Sequence, residues 1–209
     1  MRKKNKSKKL ITILAVFIII AAVFIYYILS AENHSIYVSV NDPSDDSRTF
    51  ISGQGAENED GKWATLQLAP TYSFGVRFSN LSIPKNAKIV KAYIEVYSIG
   101  TPGHQSPNCK IYCDDTANAG NFTDKIGVLN TKGRNYTVNY ARWNTTAPYG
   151  KWVKTPSLVD PLQEVISHKN WEPGNAAVFL FVSEGLRGYS ATFQNYEAGY
   201  PARLYVEWE

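Results

Sequence analysis

Histidine and cysteine are scarce in this chain, three and two residues among 209. His34, His104 and His168 lie far apart, with no spacing that would gather them on one metal ion. There is no Gly-x-Ser-x-Gly elbow and no glycine-rich phosphate loop, so neither acyl transfer nor nucleotide chemistry has a motif to rest on. The cysteines sit four apart in CKIYC, which alternates as a strand does. At about 3.3 Å per residue they are roughly 13 Å apart, beyond the roughly 7 Å Cα separation a disulfide tolerates. An exported chain with two cysteines invites a disulfide or a metal; strand geometry favours two small buried thiols, Cys109 and Cys113. Acidic residues are absent before Glu32, and no internal repeat is visible.

Without an acidic residue before Glu32, the N-terminus is purely basic and then apolar. Arg2, Lys3, Lys4, Lys6, Lys8 and Lys9 precede Leu10 to Leu29, interrupted only by Thr12, Tyr26 and Tyr27. Some twenty such residues at about 1.5 Å rise span a hydrocarbon core of roughly 30 Å. The basic flank predicts a cytoplasmic tail at 1–9, a single-pass signal-anchor at 10–30 and an extracellular remainder. The competing reading is a cleaved secretory signal. Its apolar region is normally about 7–15 residues, and cleavage after Ala31 would put Leu29 at the −3 position. Both readings export the rest. Of the 22 Lys+Arg, the six tail cations are spent on topology, which leaves the exported part slightly acidic against its 18 Asp+Glu. A nucleic-acid partner therefore has no basic footprint to bind.

Beyond a polar linker at 31–44, about one domain's length remains, 45–209. The stretch 74–98 reads as two strands joined by a turn marked by Pro84. Phe74, Val76 and Phe78 alternate with polar or small residues, as do Ala92, Ile94 and Val96. Residues 49–61 read as a loop, 63–68 and 109–113 as strands, and 177–182 as a strand buried on both faces. Strands over 192–207 are split at Gly-Tyr-Pro. Leu158, Leu162, Val165 and Ile166 recur at helical spacing within 156–169, the only convincing helix. Many short strands with one helix predict a jelly-roll-like antiparallel β-sandwich, preceded by a single N-terminal transmembrane helix.

Candidate chemistry follows from that alternation. With the apolar residues inward, Arg77, Tyr93, Glu95, Tyr97, Lys110, Tyr112, Arg203, Tyr205 and Glu207 face out. Of these Tyr93, Tyr97, Tyr112, Arg77, Glu95 and Tyr205 are the candidate ligand-binding set. Tyrosine offers a flat body for stacking on sugar rings, and Arg and Lys can hold uronate or sulfate. The same residues also suit an exposed sheet with no ligand at all. Of the five tryptophans, Trp63, Trp143, Trp152 and Trp171 read as core or rim packing. Asp45, Asp46, Asp114 and Asp115 are candidates for a structural calcium, which takes six to eight oxygens from carboxylates and loop carbonyls. Adjacent loop acids lack the fixed separation across a sugar that glycoside hydrolysis requires. Beyond the expected anchor, five glycosylation sequons stand at Asn33, Asn80, Asn121, Asn135 and Asn144.

The order of motifs, VRFxNLSIPxxAxIxxAYI, CDDTANAGNF, RW and PSLVDPLQEVI, resembles the DNRLRE or disaggregatase-related domain of prokaryotic surface proteins. The resemblance covers roughly residues 40–208 and implies a jelly-roll module akin to carbohydrate-binding modules, without a catalytic motif. The expectation is a membrane-anchored extracellular module that binds surface or matrix polysaccharide. A structural or adhesive envelope protein contacting other proteins is the alternative, and a polysaccharide hydrolase the third.

Overall fold

The computed structural model describes residues 16–21, 34–52, 55–58, 65–100, 107–123, 127–129, 133–144, 148–185 and 189–209. Residues 16–21 are helical; the rest of the expected anchor at 10–30 lies outside the described residues. Among the described residues no helix is long and apolar enough to cross a membrane. Ser35–Trp208 forms a compact unit of its own.

In chain order its elements are β1 His34–Ser39, β2 Asp46–Ser52, β3 Gly55–Asn58, β4 Thr65–Leu68, β5 Tyr72–Phe78 and β6 Ile89–Ser98. There follow β7 Asn108–Cys113, β8 Ala141–Asn144, β9 Lys151–Lys154, α1 Val159–Ile166, β10 Ala177–Ser183, β11 Ala191–Gln194 and β12 Arg203–Trp208. They make two antiparallel sheets. The first runs β1-β12-β6-β11-β4, with β9 also on β6; the second runs β3-β2-β5-β10-β7-β8. Between them Phe74 stacks on Phe181 at 4.2 Å, and Trp143 lies against Phe181 and Phe193. Cys109 and Cys113 are unpaired thiols, both buried in this core.

Three expectations change. Residues 31–44 are not simply a linker, because β1 lies within them and pairs at the edge of the first sheet. Residues 49–61 are not simply a loop: β2 and β3 pair there as a hairpin, Ser52 opposite Gly55. Most important, β5 and β6 are not partners. Phe74, Val76, Phe78, Ala92, Ile94 and Val96 all reach the core, but from opposite sheets. Hairpin loops run about two to five residues. Here 79–88 crosses between layers instead, carrying Leu81 and Ile83 inward. The crossing is pinned by Leu81 N–H to Asn175 O at 3.0 Å and by Trp171 Nε1–H to Ile83 O at 3.0 Å.

The apolar run of β10 has a separate explanation. Alternate residues Phe179 and Phe181 belong to the main core, while Val178 and Leu180 point the other way. Ala119, Phe122 and Val128 cover them, so a second small core sits outside the second sheet. Gly75 makes room for this layer. A Cβ there would stand 2.6 Å from Phe122 Cζ and 2.9 Å from its Cε1. Gly75→Ala should therefore destabilise the fold by about 1–3 kcal/mol through overpacking. Urea unfolding checks this, and an unchanged midpoint would refute the close approach.

Candidate functional site

The outer face of the first sheet collects most of the expected binding residues. Strand register places Lys91 opposite Glu207, Tyr93 opposite Tyr205 and Glu95 opposite Arg203 across β6 and β12. On β9, Lys154 faces Glu95 and Trp152 faces Tyr97. Period-two geometry puts all of these on one side, because their neighbours Ala92, Ile94, Val96, Leu204 and Val206 are buried.

The result is a row of rings and charges. Tyr93 stacks on Tyr205 at 5.1 Å and 20°. Lys154 Nζ stands 4.3 Å from the centre of the Tyr93 ring, and Lys91 Nζ 5.4 Å from that of Tyr205. In the middle, Glu95 accepts a hydrogen bond from Tyr37 of β1 and pairs with Lys154 at 3.3 Å. At the far end the guanidinium of Arg203 lies 3.8 Å over the Trp152 ring. Tyr97 meets Trp152 edge-on at 5.4 Å and stacks on Tyr200 at 4.1 Å. Tyr200 comes from the turn between β11 and β12, fixed by Gly199 N–H to Tyr196 O at 2.9 Å and by Gly199 at φ +79°.

These contacts tune the groups involved. Burial, then the bond to Glu95, pushes the Tyr37 phenol up. The bond to Glu207 raises the Tyr205 phenol, and bonds to Tyr93 and Glu95 raise the Lys154 ammonium. Glu95 between cations and a phenol donor is held as a partner for them.

Four of the six expected binding residues, Tyr93, Glu95, Tyr97 and Tyr205, come together on this face. Arg77 and Tyr112 do not: they lie on the second sheet, in β5 and β7. Arg77 pairs with Asp45 at 2.7 Å and donates to Ala119 O, lining an open polar cleft of about 410 Å³ with Asn41, Ser44 and Asn121. Tyr112 stacks on Tyr136 at 4.6 Å. Sequence reading missed Tyr37, Trp152, Lys154 and Tyr200. The pairing of β9 with β6 sets Trp152, half-buried, on this outer face beside Tyr97. An alternation test over KWVK, only four residues long, is too short to reveal that.

The four carboxylates considered for calcium are spread over different tasks. Asp45 meets Arg77, Asp46 accepts from Tyr196 N–H at 2.8 Å, and Asp114 pairs with Arg134 at 2.8 Å. Asp115 is exposed, its N–H bonded to Asn135 O. Among the described residues no group of three or more His, Cys, Asp or Glu side chains is placed to hold a metal ion. Asn80, Asn121, Asn135 and Asn144 are exposed, and Asn33 lies outside the described residues.

No family model matches the chain, the DNRLRE type included, and no curated protein matches it. Solved structures do match in outline. A family 35 carbohydrate binding module from Clostridium thermocellum is 10% identical, covering 82% of this chain and 97% of its own, at TM-score 0.35. The C-terminal CBM6 of LamC from Zobellia galactanivorans is 8% identical, covering 82% and 98%, at 0.31. A family 11 module from Clostridium thermocellum, solved with a β-1,3-1,4-mixed-linked tetrasaccharide, is 11% identical over 85% and 88%, at 0.29. With TM-scores below 0.5, none of these likenesses bears on ligand or activity.

Proposed function

We propose that this chain is a non-catalytic polysaccharide-binding module, a jelly-roll-like sandwich held outside the cell by a membrane anchor at 10–30. Its ligand is a polysaccharide carrying uronate or sulfate groups. One observation carries the reading: the unbroken row on the first sheet, from Lys91 and Tyr205 through Lys154 and Glu95 to Arg203, Trp152 and Tyr97. Aromatic bodies supply apolar contact to sugar rings, and the interleaved cations supply charge for the acidic groups. Lys91, Lys154 and Arg203 outnumber Glu95 and Glu207 there, on an exported part that is slightly acidic as a whole. Glu95, held by Tyr37 and Lys154, is organised to position cations rather than to attack a glycosidic bond.

Affinity electrophoresis in gels containing polygalacturonate tests this, with neutral hydroxyethylcellulose as the comparison. The wild-type chain should be retarded by the acidic polymer, less so as salt is raised. Trp152→Ala should weaken retardation about thirtyfold, the roughly 2 kcal/mol loss of a central aromatic anchor. Equal retardation of variant and wild type would place binding elsewhere.

A further inference from the structure

The second sheet carries a patch built from the same parts as the first. The layer that covers its outer side reaches Tyr136, and beyond that the outward residues of β7 and β8 meet solvent. Tyr112 stacks on Tyr136 and tilts against Tyr140 at 5.1 Å. Lys110 Nζ and Arg142 Cζ stand 5.0 and 5.7 Å from the centre of the Tyr140 ring. A single carboxylate, Glu184 on the segment after β10, holds both cations, Lys110 at 3.1 Å and Arg142 at 2.9 Å. In the first site Glu95 pairs with Lys154, and Arg203 stands opposite it in strand register. The Arg142 side chain is 65% exposed, and Tyr140 is 39% exposed. Beside them a cleft of about 240 Å³ is lined by Asn108, Arg142, Asn144 and Glu184.

We propose that this patch is a second polysaccharide site, so that one copy of the chain binds two strands of acidic polysaccharide and cross-links them. The proposal rests on the function assigned above and adds a second site to it. Two cations against one carboxylate leave net positive charge beside an aromatic surface, which complements the same uronate or sulfate polymer. The two sheets pack face to face, so their outer sides point away from each other. A single extended strand on one side does not reach the other. Two weak sites on one rigid body then give avidity to a meshwork rather than to one chain.

The test uses the full chain in neutral detergent, made without N-glycosylation so that Asn144 beside the cleft stays bare. Polygalacturonate is mixed with the protein, and cross-linking is read as turbidity and a rise in viscosity at stoichiometric ratios. Wild type should cross-link. Tyr140→Ala with Arg142→Gln should abolish cross-linking while leaving the gel retardation of the first site, weaker than wild type by the avidity lost. Trp152→Ala should also lose cross-linking and retain the weaker retardation of the second site. The proposal is overturned if wild type is retarded but never cross-links, or if the double variant cross-links as wild type does, since pairing of single-sited copies would then explain it. No retardation of wild type at all would overturn the functional assignment and this inference together.

Discussion

Arg134→Ala is expected to cost about 3–5 kcal/mol, the largest single loss outside the main core. Arg134 is 3% exposed and lies within the layer that covers the second sheet. Its Nη1 meets Asp114 Oδ2 at 2.8 Å, its Nη2 donates to Gly120 O at 2.8 Å and to Asn121 O at 3.2 Å, and its guanidinium lies 4.9 Å over the Phe122 ring. Alanine removes all of these and leaves Asp114, itself 6% exposed, with an uncompensated charge. Attraction in a buried pair roughly offsets desolvation, so the loss comes chiefly from the stranded carboxylate. Arg134→Met with Asp114→Asn should therefore recover much of the stability. Asparagine keeps an acceptor for Asn135 N–H, which Asp114 Oδ1 now binds at 3.0 Å. Urea unfolding of the two singles and the double gives the coupling. Equal and additive losses would show that the pair does not act as one unit.

Arg134 also shows where sequence reading stops. Its stretch, 126–138, has no clear period, and nothing local says that a surface arginine is buried against carbonyls from 120 and 121. Period-two patterns did reveal the inward residues of β5 and β6, because burial on one face is a local property. Which strands are neighbours is not local. Arg77 and Tyr93 both alternate outward, yet they emerge on opposite sides of the sandwich because 79–88 crosses between layers. Trp152 and Tyr200 were hidden for the same reason: one joins the site through a four-residue strand, the other through a turn. Four of the six expected binding residues were legible because β6 alone supplies three, and Tyr205 pairs directly with Tyr93.

Asp46→Asn is expected to stabilise the protein at alkaline pH by up to about 4 kcal/mol and to leave it nearly unchanged at pH 4. Asp46 is 1% exposed, accepts from Tyr196 N–H through Oδ2 and carries a buried Oδ1 that accepts no hydrogen bond. Burial, reinforced by Glu197 and Asp45, raises its carboxyl to about 7, against the pull of Tyr196 N–H and the Asn195 side chain. A folded pKa above the unfolded value of 3.8 means that the native state holds a proton the unfolded chain has released. Its contribution is complete below the unfolded pKa, declines as pH rises, and is gone above about 7. Wild type should therefore lose stability between pH 4 and pH 8 along a slope that Asp46→Asn lacks, since asparagine keeps the acceptor and carries no charge. Thermal melts across that range read the slope directly, and parallel curves for the two proteins would refute it. Repeating the melts with millimolar calcium separates charge relief from ligation. A wild-type Tm that rises at pH 8, with no rise in Asp46→Asn, would make the orphan oxygen a calcium ligand, whereas no change in either leaves the proton as its partner.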